Sequence, residues 1–337
     1  MRSASLTGRR LVVVLVAVLI APFARTIRLG ALATVVTGVV ALGGCGDAVE
    51  QAPTPDLARV WASGSDDVWT IDDAGAILHW NGTKWARVTS PTSHDLKGVW
   101  GIARDDVWAV GLAGTILHWN GAAWSTATSG NTASLSYVWG SGPNDVWVVG
   151  VANHEIPLVG TILHWDGSAW SVTPGPSSNP MLGGLISVWG SGPSDVWAVG
   201  ADSSTGGVFI HWDGTVWSDV PDAVGQPVNA VWGSEAGDAW AVGGAGIAVR
   251  WNGFGWGDGP TATYQPLAGV WGSGPTDVWA VGAAGTIIHW DGVAWSVVAS
   301  GTDQTLLSVW GSGPRDAWAV GGAGTKVHWD GAVWSAR

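Results

Sequence analysis

A single unit of about forty residues recurs seven times from Val60 onward. Its clearest copy reads Val270-Trp271-Gly-Ser-Gly-Pro-Thr-Asp277-Val-Trp279-Ala-Val-Gly, then Gly285-Thr-Ile-Ile-His289-Trp290-Asp291-Gly292-Val-Ala-Trp295-Ser. The leading tryptophan falls at 61, 100, 139, 189, 232, 271 and 310, at spacings of 39, 39, 50, 43, 39 and 39. Each copy holds four tryptophans, which accounts for all 28 in the chain. A unit this short cannot bury its apolar face alone. It has to stack on copies of itself, so the chain must form an array or a closed ring.

Within each copy the pattern predicts four short strands. Strand A ends in Val-Trp-Gly, and a Ser-Gly-Pro-x-Asp turn leads to strand B, Asp-Val-Trp-Ala-Val-Gly. A glycine-bounded turn precedes strand C, Gly-Thr-Ile-Leu-His-Trp. Asp-Gly or Asn-Gly then makes a tight hairpin into strand D. No helical period occurs after residue 57. Four antiparallel strands repeated seven times predict an all-β, seven-bladed β-propeller over residues 57–337. Strand A opens the first copy and strand D closes the last, so blade seven is expected to meet blade one by face packing, with no strand borrowed from residues 47–56.

The motif Asp-Val-Trp-Ala-Val-Gly…Gly-Thr-Ile…Asp-Gly…Trp resembles the BNR or Asp-box propellers over roughly 280 residues. That group includes sialidase-like domains and proteins similar to photosystem II assembly factors. The usual Asp-box has Ser or Thr two residues before its Asp, where this chain has His, and its Asp-to-Trp spacing is longer than four. The resemblance thus implies the blade type and does not extend to sialidase activity. Such enzymes need a tyrosine nucleophile and an arginine cluster. The repeat region offers only Tyr137 and Tyr264, and its arginines at 59, 87, 104, 250, 315 and 337 are scattered in sequence.

The recurrent residues read as structural. Phe, Tyr and Met number three, two and two, so tryptophan with Val, Ile, Leu and Ala must build the core between blades. An exposed subset would instead offer stacking platforms for sugars. The Asp opening strand B (67, 106, 145, 195, 238, 277 and 316) recurs in every blade, whereas a catalytic carboxylate would be unique to one. It is expected to accept backbone N–H groups of its own turn. His recurs before the strand C tryptophan (79, 118, 164, 211, 289 and 328), with Arg250 in its place in blade five. By analogy with the His–Asp network of WD-repeat propellers, these histidines are expected to bond a neighbouring turn. One His per blade is too widely spread for a metal site, and no cofactor is expected. The run from Gly321 to Lys326 lacks Walker spacing, and Asn81-Gly-Thr83 is the hairpin of blade one.

Residues 1–44 hold five cations and no anion, and the remainder holds nine Lys and Arg against 26 Asp and Glu, a net −17. A body this acidic repels phosphate backbones and anionic lipid, which excludes nucleic acid as a partner. Two apolar stretches, Leu11–Ala21 and Leu29–Gly44, each follow arginines. The second ends in Leu42-Gly43-Gly44-Cys45, which resembles the bacterial lipobox. The resemblance implies that residues 1–44 are a leader and that Cys45, the only cysteine, carries lipid. Residues 45–56 then serve as a polar tether, and contact with the membrane runs through the lipid alone. The inner-membrane retention Asp does not follow Cys45 directly, which points to the outer membrane of a bacterial envelope.

Function is expected where copies differ. Blade three carries extra residues between strands B and C (151–159) and after strand D (174–184), and blade four between B and C (201–207). In a four-stranded blade these connections open on one face. The candidate partner contacts are His154, Glu155, Ile156, Met181, Leu182 and Phe209. The reading is of a monomeric, non-enzymatic, membrane-anchored module that binds or scaffolds an envelope protein. The alternative is a glycan-binding propeller, and the third reading is a sialidase-type glycosidase.

Overall fold

The computed structural model describes residues 54–152, 159–179, 183–202, 206–221, 224–259 and 261–337. Cys45, the leader and most of the tether lie outside the described residues. Seven four-stranded antiparallel sheets follow one another, each with its strands in the order A, B, C, D. Blade one consists of Leu57–Gly64, Asp67–Asp72, Ile77–Trp80 and Trp85–Val88. Blade seven consists of Leu306–Gly313, Asp316–Gly321, Lys326–Trp329 and Trp334–Ala336, so it supplies its own outer strand. Strand A of each blade packs against strand A of the next, the last against the first, which closes the ring around a central channel. The only helical elements among the described residues are three-residue 3₁₀ turns.

Strand period and tryptophan position together explain why the blades stack. Side chains alternate between the two faces of a sheet. In blade one the register pairs Trp61 with Trp69 and Trp69 with His79, which puts these three on one face. Val68 pairs with Trp80 and Trp80 with Trp85, on the other. Each strand B tryptophan thereby meets the strand C and strand D tryptophans of the following blade. Trp69 lies 5.0 Å from Trp119 and 5.4 Å from Trp124, ring centre to ring centre. Trp197 lies 4.7 Å from Trp251 and 5.1 Å from Trp256. The same triad closes the ring, with Trp318 of blade seven 5.4 Å from Trp80 and 5.3 Å from Trp85 of blade one. The strand D ring stands edge-on to the strand B ring at 79–90° in each triad. This geometry suits the aromatic quadrupole.

The strand A tryptophan explains the glycine that follows it. At five interfaces its ring sits 2.5–2.6 Å from where a β-carbon would stand on Gly101, Gly190, Gly233, Gly272 or Gly311 of the next blade. Blade one has Ala62 at this place, and there the pattern breaks. Trp310 alone among the strand A tryptophans is only half-buried, and its Nε1 donates to the carbonyl of Ala62 at 3.2 Å. Gly233→Ala should therefore drive out Trp189 and cost about 1–3 kcal/mol. Ala62→Gly, at the seam that already tolerates a β-carbon, should change stability by less than about 1 kcal/mol. Chemical-denaturation midpoints of the two variants test this, and equal losses would contradict it.

Candidate functional site

The recurrent polar residues of each blade form a bracket. The strand B Asp accepts the His Nε2–H of strand C at 2.6–2.7 Å in six blades. An ionised carboxylate has no proton to give, so the imidazole is the donor. In blade five Arg250 Nε donates to Asp238 at 2.5 Å. The second carboxylate oxygen accepts a hydroxyl from the turn: Ser63, Ser141, Ser191, Ser234, Ser273 and Ser312 in six blades. Blade two has Ile102 at the equivalent position. The His ring lies against the strand B tryptophan, for example 4.1 Å from Trp279 at His289. The Asp thus ties a turn hydroxyl to strand C; the sequence had suggested its own turn's backbone as the donor. Repetition round the ring marks the bracket as a structural clamp.

Its electrostatics carry a pH prediction. Burial pushes Asp67, Asp145, Asp195, Asp277 and Asp316 upward, yet the His and Ser hydrogen bonds outweigh it and hold all five below the ordinary carboxylate value. A depressed folded-state pKa contributes stability that is complete above the unfolded value of about 3.9 and is lost as pH falls through the folded value. The ring should therefore lose its thermal midpoint steeply below about pH 4, and Asp277→Asn should shallow that slope. Tryptophan-fluorescence melts between pH 2 and 6 test it; a flat midpoint would refute it.

The two connections that carry the insertions do open on one face. In blade two the B–C turn is fastened to both flanking D–A loops, with Leu112 N donating to Asp95 O at 3.0 Å and Gly114 N to Ala133 O at 2.7 Å. The A–B and C–D turns meet on the opposite face, where Trp80 Nε1 donates to Ser65 O at 3.1 Å. Blades three and four stand taller on the loop face. Their B and C strands run Asp145–Val151 with Gly160–Trp165, and Asp195–Asp202 with Gly206–Trp212. Beyond the last pair of blade two, Val110 with Ile116, blade three adds Gly150 with Thr161 and Val151 with Gly160, and blade four adds Gly200 with Val208, Ala201 with Gly207 and Asp202 with Gly206. Blade two, by contrast, turns after Gly111 through a 3₁₀ turn into Ile116–Trp119. The D–A loop between the tall blades is held by the Ser178 hydroxyl, which donates to Asp219 of blade four.

His154, Glu155, Ile156, Met181 and Leu182 lie outside the described residues. Phe209 requires a correction. It is 2% exposed and packs 5.1 Å from Trp256 of blade five, so it belongs to the core and cannot touch a partner. The repeat could have shown this, since Phe209 aligns with Ile77, Ile116, Ile162 and Ile287 of the other blades, all buried.

Other exposed groups went unnoticed in the sequence. Tyr264, in the D–A loop after blade five, is 94% exposed on the loop face. On the opposite face the C–D turns of blades four to seven present Val216, Phe254, Val293 and Val333, with Phe254 at 96%. The signal at Phe254 and Val293 was an apolar residue at a turn position that other blades fill with Thr, Ser or Ala, and at Val216 and Val333 a valine where other blades have Lys, Ala or Gly. None of the 28 tryptophans is fully exposed, and the strand C tryptophans, such as Trp80 and Trp290, are half-buried.

Arg59 and Tyr137 are 78 residues apart in sequence and meet in the channel, with the guanidinium carbon 5.2 Å from the ring centre. Both occupy the place two before the strand A tryptophan. The other five blades have Gly98, Ser187, Ala230, Gly269 and Ser308 there. Each strand A carries a register shift beside this residue.

The sequence matches no protein-family model and no curated protein. Solved structures share its fold, among them the following three. "YCF48 bound to D1 peptide" is 16% identical, with a TM-score of 0.63, over 82% of this chain and 92% of the other. YCF48 from Cyanidioschyzon merolae is 15% identical, with a TM-score of 0.64, over 83% and 97%. The WD40 β-propeller domain of Doa1 is 11% identical, with a TM-score of 0.64, over 82% and 93%. The chain is a tryptophan-rich seven-bladed β-propeller similar in architecture to YCF48 and WD40 propellers.

Proposed function

We propose that this chain is a non-enzymatic propeller that binds a protein partner on the loop face of blades three and four. The observation that carries the reading is the pair of adjacent tall hairpins, the largest departure from an otherwise regular ring. Tyr264 adds an exposed aromatic anchor to the same face, of the kind that dominates interface energies. A YCF48 propeller of similar architecture was solved with a D1 peptide, which supports peptide capture as a use of this fold.

The proposal includes the anchor. Residues 1–44 act as a leader, Cys45 carries the lipid, and residues 46–56 hold the propeller (57–337) off the outer membrane of the envelope. One acyl chain binds only marginally, so a multiply acylated Cys45 would make the attachment stable. The Cys45→Ser variant should lose all label in radioactive palmitate incorporation and leave the membrane fraction. Equal labelling of variant and parent would remove the lipoprotein part. For the binding part, the full chain is used to capture proteins from its own envelope, alongside Tyr264→Ala. A protein retained by the parent and lost or at least tenfold depleted with the variant supports the loop face, and equal recovery counts against it.

A further inference from the structure

The face opposite the insertions carries apolar side chains that none of the described residues cover. The C–D turns of blades four to seven, at 213–216, 252–255, 291–294 and 330–333, each set one large apolar side chain in solvent. Phe254 is 96% exposed and Val293 84%, and Val216 and Val333 are more than half exposed. Blades one to three have only Thr83 and Lys84, Ala122 and Ala123, and Ser168 and Ala169 at the same places. The arc is thus confined to four consecutive blades. The tryptophan that ends strand C just before each turn, such as Trp251 beside Asn252, is half-buried and adds apolar surface. Single apolar residues scattered over a surface are ordinary. Four at the same turn of successive blades, one of them a phenylalanine between two glycines, are an ordered feature.

The charge around the arc says what can cover it. The A–B turns of these blades, at 191–194, 234–237, 273–276 and 312–315, lie on the same face. Together with the C–D turns they hold the exposed carboxylates Asp213, Glu235, Asp291 and Asp330 against the single cation Arg315. Turn hydrogen bonds keep three of these carboxylates ionised. The Thr215 hydroxyl and the Val216 amide donate to Asp213, the Ala294 and Val293 amides to Asp291, and the Val333 and Ala332 amides to Asp330. All three sit below the ordinary carboxylate value, Asp213 at about 2. Like charge repels an anionic lipid surface and a second copy of the same face. The chain also enters the ring on the other side, where Asp56 Oδ1 accepts the Ala323 amide of the blade seven B–C turn at 2.8 Å. The arc therefore lies away from that entry. We propose that the C–D turns of blades four to seven are a second docking surface, for a protein segment that sets Lys or Arg among apolar side chains, with Phe254 as its anchor. The apolar tips take up the partner's apolar side chains, and the flanking carboxylates meet its cations. This surface is separate from the loop face and does not depend on it.

The test is fluorescence anisotropy of a labelled peptide of about 18 residues, built of leucine and lysine in the order of an amphipathic helix, titrated with the full-length protein. The lysine peptide should bind, more weakly as salt rises, and its glutamate counterpart should not. Phe254→Ser, at a site too exposed to disturb the fold, should weaken binding at least about tenfold, as loss of an aromatic anchor does. Tyr264→Ser, on the loop face, should leave it within about twofold of the parent. No binding of the lysine peptide, equal binding by Phe254→Ser, or an equal loss in Tyr264→Ser would overturn the proposal. Sedimentation of the parent and of Phe254→Ser, alone and with phosphatidylglycerol vesicles, tests the other occupants. A dimer or a vesicle association that disappears with Phe254 would assign the arc to a second copy or to the membrane, and would equally overturn it.

Discussion

Trp197→Ala should destabilise the ring by about 3–5 kcal/mol, the range for removing a buried large aromatic side chain. Trp197 is 1% exposed and lies between its own blade's His211, 4.5 Å away, and the Trp251–Trp256 pair of blade five. Its removal leaves a cavity that neither sheet can close, because both are held in register by their own ladders. The same substitution at Trp318 should cost as much. That residue occupies the equivalent place between blade seven and blade one, 5.3 Å from Trp85. If the ring were open there, Trp318 would face solvent and its loss would cost little. Urea-denaturation midpoints of the two variants should fall together; a Trp318→Ala variant as stable as the parent would contradict closure.

The parts legible in the sequence were those that repeat. Four tryptophans per unit, the Asx-Gly hairpins and the even spacing led to seven blades. The hairpins formed as expected, with Gly82 at φ 87° and Asn81 Oδ1 accepting from the Thr83 and Lys84 amides. The His–Asp clamp was half legible. Both residues stood out, but their pairing depends on the register that sets strand B Trp69 opposite strand C His79. Residues that converge only through ring closure were hidden. Arg59 and Tyr137 looked scattered because nothing local brings blade one towards blade three. Phe209 was misread for the opposite reason: attention to an insertion obscured the strand position beside it, whose repeat equivalents Ile77, Ile116, Ile162, Ala248 and Ile287 are core.

Shortening residues 151–159 to the length of the Leu112-Ala113 turn should leave the fold intact and remove partner binding. The segment contributes only the outermost ladder pair, Val151 opposite Gly160, and the pairs shared with the shorter blades, from Val146 opposite Trp165 to Val149 opposite Ile162, lie outside it. Closing a shorter loop changes the entropy by about 1 kcal/mol, so the melting temperature should stay within a few degrees of the parent. A matched change on the opposite face, at residues 273–276, should act in reverse. It removes the Ser273 hydroxyl that Asp277 accepts and disturbs the clamp to His289, so it should cost stability and leave binding alone.

The deciding measurement is a calorimetric titration of the captured envelope partner into the full-length protein and into these two variants. The account predicts at least a tenfold weaker dissociation constant for the 151–159 variant at unchanged melting temperature, and parental affinity for the 273–276 variant. Parental affinity in the 151–159 variant would contradict it and move the binding surface to the apolar turns around Phe254.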